Sequence, residues 1–155
     1  MEHQIRKFVA PEVLFGVGSI DYAGLYLSHF ECKNVLLVTD NGVFEAGWPN
    51  KVIDSLKREK IDFIIYNKIT PNPRDYEVME GVKVYLENRC DSIIAIGGGS
   101  VMDCAKGIGI VSENGGDILD YEGVDKVKKP IPPIICLPTT GGTSADVSQF
   151  SIIKD

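Results

Sequence analysis

Residues 97 to 100 read GGGS, between the apolar run SIIAI (92–96) and a helix-like run that begins near Val101. Without Cβ atoms at Gly97, Gly98 and Gly99, backbone N–H groups can approach an anion closely. A helix starting just beyond adds unpaired N–H groups and a positive dipole end. The chemistry this suits is binding of a phosphate or pyrophosphate. Ser100 and Asp103 also fit the [ST]-x-x-[DE] capping box, so the competing reading is a tight turn with a well-capped helix. That reading leaves three consecutive glycines unexplained, since each costs conformational entropy where one would turn the chain. Two common nucleotide signatures are not met. Met102 stands where G-x-G-x-x-G needs its last glycine, and no GK[ST] follows, although Lys106 lies one turn into the helix.

Three other segments carry groups suited to a nucleotide. Asp40 closes the apolar run NVLLVTD (34–40). A carboxylate there can accept from both ribose hydroxyls and would repel a 2′-phosphate; equally, it can form an Asx turn with Asn41 and Gly42. Thr139, Thr140, Thr143 and Ser144 place hydroxyls on a glycine-bearing loop after IICLP (134–138), suited to ribose, phosphate or amide contacts or simply to a polar surface. Asn72, between Pro71 and Pro73, can face a base or belong to a rigid turn. A further glycine pair, Gly16 and Gly18, is read as turn glycines because Asp21 occupies the final glycine position of the dinucleotide fingerprint. The only histidines are His3, in the terminal arm, and His29, read as a partly exposed helix residue. No HxxH, HxxxH, Ser–His or Cys–His arrangement follows, so neither a metal ligand nor a catalytic residue is assigned.

Composition narrows the class. The chain has 155 residues, enough for one domain with a real core, and is 44% hydrophobic and 25% charged. Its net charge of −6 argues against nucleic-acid binding. No apolar run approaches the roughly 20 residues of a membrane helix, and the first residues do not read as a secretory signal. Cys32, Cys90, Cys104 and Cys136 form no CxxC pair; Cys104 and Cys136 fall in core-like segments. Reduced thiols in a cytoplasmic protein are expected.

The elements that must position these groups alternate. Strands are expected at 13–15 (short), 34–40, 62–66, 92–96 and 134–138, the last one buried, with another beginning in QFSIIKD (149–155). Helices are expected at 19–30 with Ser19 as N-cap, at 49–60 with Val52, Ile53 and Leu56 inward, at 75–90 with Val78, Met79, Val82 and Leu86 inward, and from Val101. One helical turn fits within 113–123. Such alternation implies an α/β domain with a doubly wound, mostly parallel sheet. Asp40, the PNP loop, GGGS and TTGGTS all then fall at carboxyl ends of strands, where such sheets bind ligands.

In that order, LLVTDNGV, PNP, IIAIGGGSVMDCAKGIGI and PTTGGTSADVSQFSIIKD resemble the successive blocks of the iron-containing (group III) alcohol dehydrogenase family. The resemblance covers nearly the whole chain and departs at Gly141, often Ala, and at Asp146, where Glu is common. It implies a dehydroquinate-synthase-like fold whose N-terminal α/β nucleotide-binding domain corresponds to residues 1–155. The family's helical domain, with one Asp and three His as metal ligands, would lie beyond Asp155. By this likeness Asp40 sits by the adenosine ribose and favours NAD over NADP, and Gly97, Gly98, Gly99 and Ser100 hold the pyrophosphate. Asp103 lies at the cofactor site, and Thr139, Thr140, Thr143 and Asn72 contact the nucleotide. The implied activity is hydride transfer between a primary or secondary alcohol or aldehyde and a nicotinamide. Fe2+ or Zn2+ would be bound by the full-length enzyme and not by this part, which alone would be inactive. A homodimer stays open as a partner state.

Two other readings compete. One is a stand-alone nucleotide- or phosphate-binding module without catalysis. The other is a lyase related to dehydroquinate synthase, against which Ser100 and the pair Ala105–Lys106 speak.

Overall fold

The computed structural model describes residues 11–123, 125–148 and 151–154. Four parallel strands form one sheet in the order β2-β1-β3-β4: β1 Asn34–Thr39, β2 Asp62–Tyr66, β3 Ser92–Gly97 and β4 Ile134–Pro138. The register places Val35 opposite Ser92 and Thr39 opposite Ile96 across β1 and β3. Side chains alternate across the sheet with period two. Leu36, Val38, Ile93 and Ala95 therefore enter one core with helices α4 (Asp75–Glu87) and α5 (Gly99–Asn114). Val35, Leu37, Ile94 and Ile96 enter a second core with α1 (Ala23–His29) and α3 (Trp48–Arg58). Burial on both faces explains why these two strands are continuously apolar. Each fully buried Leu or Ile contributes about 1.5–3 kcal/mol of transfer free energy.

The winding follows from handedness. The chain leaves β1 for β2 in one direction, then crosses back past β1 to β3 and on to β4. Right-handed crossovers in opposite directions put their helices on opposite faces, so α3 covers one side and α4 and α5 the other. The direction reverses between β1 and β3, and beyond the carboxyl ends at such a switch point sheets of this kind bind ligands.

Three helices end alike. After α1, α3 and α4, a residue with left-handed backbone follows the cap: Glu31 (φ 60°), Lys60 (φ 57°) and Arg89 (φ 52°). In each, the next N–H reaches back to the helix: Cys32 to Leu27, Ile61 to Leu56 and Cys90 to Tyr85. This is the Schellman arrangement, here without glycine. It turns the chain within two residues and buries Cys32, Ile61 or Cys90 before the next strand or its lead-in.

Several expectations need correction. Residues 13–15 form no strand; Val13 and Phe15 are exposed, and they pair with no strand among the described residues. The first helical segment begins as a 3-10 turn, Ser19–Tyr22, capped by Gly18 rather than by Ser19, because Gly18 takes the left-handed conformation (φ 83°) that starts the turn. Leu86 points outward, and Tyr85 takes the inward place. The strand β4 is half-buried because, among the described residues, it is the sheet edge and pairs with β3 alone. Gln149, Phe150, Asp155 and His3 lie outside the described residues. Residues 151–153 carry no strand, while Lys154 makes an isolated parallel bridge with Arg74. The expected short helix is the 3-10 turn Ile118–Tyr121.

All four cysteines are free. Burial, helped by the Asp91 carboxylate, pushes the Cys90 thiol up to about 11, and burial pushes Cys104, Tyr66 and Tyr85 upward as well. The native chain thus keeps protons that the unfolded chain releases once pH passes the ordinary thiol range of about 8.5. Stability from these groups is complete below that range and is lost as pH rises through the native values. The urea unfolding midpoint is expected to hold steady between about pH 7 and 8 and to fall by about pH 10.5, the upper part of this window. A midpoint unchanged at the higher pH would contradict this burial.

Candidate functional site

The last residue of β3 is Gly97, and α5 begins at Gly99 with Gly98 as N-cap. The helix therefore starts two residues earlier than the apolar periodicity suggests. Gly98 offers no side chain, and no side chain caps the helix. The predicted Ser100–Asp103 capping box is overturned for that reason: Ser100 already lies inside the first turn. The first N–H groups of α5 have no partner within the helix, and they carry its positive dipole end.

The surroundings keep this end narrow and bare. A Cβ at Gly97 would come within 2.5 Å of Val101 Cγ2, so only glycine fits where the strand turns into the helix. A Cβ at Gly98 would lie 3.1 Å from Thr140 Oγ1, and one at Gly99 would lie 3.4 Å from the Thr143 Cβ. The hydroxyl loop thus stands directly over the glycines. It is tied at its start by the Thr139 N–H, which donates to the Gly97 carbonyl at 2.9 Å. It is tied at its end by Lys106, whose buried ammonium donates to the carbonyls of Ala145 and, at 2.7 Å, Ser148.

The other expected residues gather around the same point. Asn72 has a left-handed backbone (φ 59°), and its N–H donates to Ser100 Oγ at 3.1 Å. Asp40 follows Thr39, which pairs with Ile96, so it stands across the switch point from the glycines. Its Oδ1 accepts from the Val43 N–H at 2.9 Å and caps the short helix α2 (Asn41–Glu45). The Asx cap is therefore real, and it occupies one carboxylate oxygen. Asp103 is half-buried; burial raises its carboxyl above the usual range, against the lowering effects of the Ile152 N–H and nearby Lys106. The site is open: Gly98, Gly99 and Ser100 are partly exposed, and Thr139, Thr140 and Thr143 are exposed. Two concavities of about 470 and 460 Å³ lie elsewhere: one beside Tyr26 and His29 on α1, the other between α4 and α5.

Two supporting residues have roles that the sequence does not show. For Lys106 the signal is a cation in an otherwise apolar stripe, and its tie to the loop is not encoded locally. Glu77 is 2% exposed, and its carboxylate accepts from the N–H groups of Thr70 and Arg74 at 2.8 and 2.6 Å. Its signal was an acidic residue three positions past a loop, the second half of a capping box.

A family model described as iron-containing alcohol dehydrogenase matches residues 10–155. The chain belongs to that family. Among similar proteins, a choline dehydrogenase of Bacillus subtilis strain 168 is 41% identical, aligned over 98% of this chain and 39% of its own. An NAD-dependent methanol dehydrogenase of Bacillus methanolicus is 37% identical, with 96% and 39% covered. A crystal structure of a 1,3-propanediol oxidoreductase superposes with a TM-score of 0.89 at 35% identity, covering 94% of this chain and 38% of that one. The chain spans well under half the length of these relatives. The parallel α/β architecture expected from the residues is the fold of this family's N-terminal part.

Proposed function

We propose that residues 11–154 act as the dinucleotide-binding domain of an NAD-dependent alcohol dehydrogenase. The observation that carries this reading is the uncapped, glycine-lined head of α5 at the sheet's switch point, with Asp40 on the neighbouring strand. The residues fit a dinucleotide. Unpaired N–H groups of α5 receive the pyrophosphate, with Thr140 and Thr143 closing over it. The carboxylate oxygen that Asp40 does not use in its cap accepts from a ribose hydroxyl, which disfavours NADP. Asn72, bonded to Ser100, and Thr139, bonded to Gly97, stand beside the head of α5. When bound, the nicotinamide supplies the two-electron acceptor for oxidation of a primary or secondary alcohol. This chain's part is to hold and orient it.

The family's metal does not fit these residues: among the described residues, no three His, Cys, Asp or Glu side chains come together. No step of this reading runs through a metal. No helix among the described residues is long and apolar enough to cross a membrane. The four free cysteines suit a cytoplasmic protein.

Calorimetric titration with NADH, and with NADPH in parallel, tests the proposal. Binding of NADH with little or none of NADPH is expected. Equal binding of both removes the role given to Asp40. Binding of neither removes the dinucleotide reading of this chain.

A further inference from the structure

We propose that Glu77 is a positioning residue for the dinucleotide cradle: its buried carboxylate locks the loop over residues 70–74 so that Asn72 holds the Ser100 hydroxyl at the head of α5. The proposal rests on the dinucleotide reading above. The observations form a chain of hydrogen bonds. Glu77 lies in the first turn of α4 and is almost wholly buried, yet among the described residues neither carboxylate oxygen forms an ion pair. Both oxygens are spent on loop backbone: Oε1 on the Thr70 N–H and Oε2 on the Arg74 N–H. The helix is further fixed by Tyr66, at the end of β2, whose hydroxyl donates to the Glu77 carbonyl at 2.6 Å.

Between the two clamped amides lies Pro71-Asn72-Pro73. Proline rings restrict φ on either side, and Asn72 takes the left-handed conformation that asparagine tolerates better than most residues. Pro73 is held from outside too, since its carbonyl accepts from the Lys154 N–H at 2.9 Å. The result aims one donor, the Asn72 N–H, at Ser100 Oγ. A hydroxyl has one proton to give and two lone pairs. With a lone pair committed to Asn72, Ser100 is oriented to donate its proton outward, toward a phosphate oxygen at the adjacent N–H groups. Glu77 touches no part of the cradle; it acts through the loop.

Glutamine at position 77 keeps the shape but has only one acceptor oxygen, so Thr70 or Arg74 loses its partner. Two measurements separate this proposal from the reading beneath it. In the unsubstituted chain without nucleotide, the amides of Thr70, Asn72 and Arg74 are expected to resist hydrogen exchange although Thr70, Asn72 and Arg74 are exposed. In Glu77→Gln the Asn72 amide is expected to exchange faster. Fast exchange at Asn72 in the unsubstituted chain, or unchanged exchange in the variant, overturns the proposal whether or not nucleotide binds. For NADH, loss of one charge-assisted bond in the loop is expected to weaken binding about tenfold in Glu77→Gln. It should have little further effect in a Ser100→Ala background, because both act through one contact. Full additivity, or unaltered NADH affinity in Glu77→Gln, overturns it. If the unsubstituted chain binds no NADH, the dinucleotide reading fails, and the exchange results alone decide whether Glu77 sets the loop.

Discussion

Gly98→Val is expected to abolish NADH binding while the chain stays folded. The backbone at Gly98 (φ −83°, ψ −170°) is extended and open to any residue, so the substitution imposes no backbone strain. Its Cβ would lie 3.1 Å from Thr140 Oγ1, and Thr140 is on an exposed loop that can yield a few tenths of an ångström. Loss of a favourable N-cap residue costs about 1 kcal/mol. The valine methyls, however, stand where a pyrophosphate must meet the first amides of α5. Excluding two charge-assisted hydrogen bonds, at about 1.5–3 kcal/mol each, weakens binding by roughly two to four powers of ten. Calorimetry and thermal unfolding on the same sample check both halves. Near-normal NADH affinity in a folded variant would remove the head of α5 from the binding site.

The second large effect is expected at Asp40, where the structure makes a sharper test available than the charge alone suggests. Asp40→Ala should admit NADPH, but it also strips the Val43 N–H of its acceptor and so weakens α2. Asp40→Ser keeps a capping oxygen and removes only the charge. At about 4 Å two unit charges repel by roughly 4 kcal/mol at the effective dielectric of a protein surface. Relief of even a third of that raises NADPH affinity about tenfold. Loss of the bond to the ribose should lower NADH affinity by a similar factor. Both variants are expected to reverse or erase the NADH preference, with only Asp40→Ala losing stability. If Asp40→Ser discriminates as the unsubstituted chain does, Asp40 is a helix cap and nothing more.

These tests depend on knowing which groups surround the glycines, and that knowledge came unevenly from sequence. The strands at 34–39, 62–66 and 92–97 were legible because both sheet faces are covered, which leaves unbroken apolar runs. Helix ends were harder to read. The ends expected at 30, 60 and 90 are observed at His29, Arg58 and Glu87, because Glu31, Lys60 and Arg89 take a left-handed turn that usually advertises itself as glycine. The half-buried state of β4 was not legible, since its apolar residues look the same with a neighbour on one edge or two.

By itself the sequence determined the alternating α/β architecture and the placing of Asp40, Asn72, Gly97–Ser100 and Thr139–Thr143 at strand ends. Periodicity and loop position are local properties, and parallel winding brings every such end to one edge. Only the tertiary structure decided how those groups meet. It moved the head of α5 to Gly99, turned Ser100 from a cap into the partner of Asn72, and revealed Lys106 and Glu77 as the residues that hold the two loops. Those roles arise from hydrogen bonds between segments as far apart in the chain as Lys106 and Ser148. No local pattern encodes such a bond; it exists only once the core has placed donor and acceptor together.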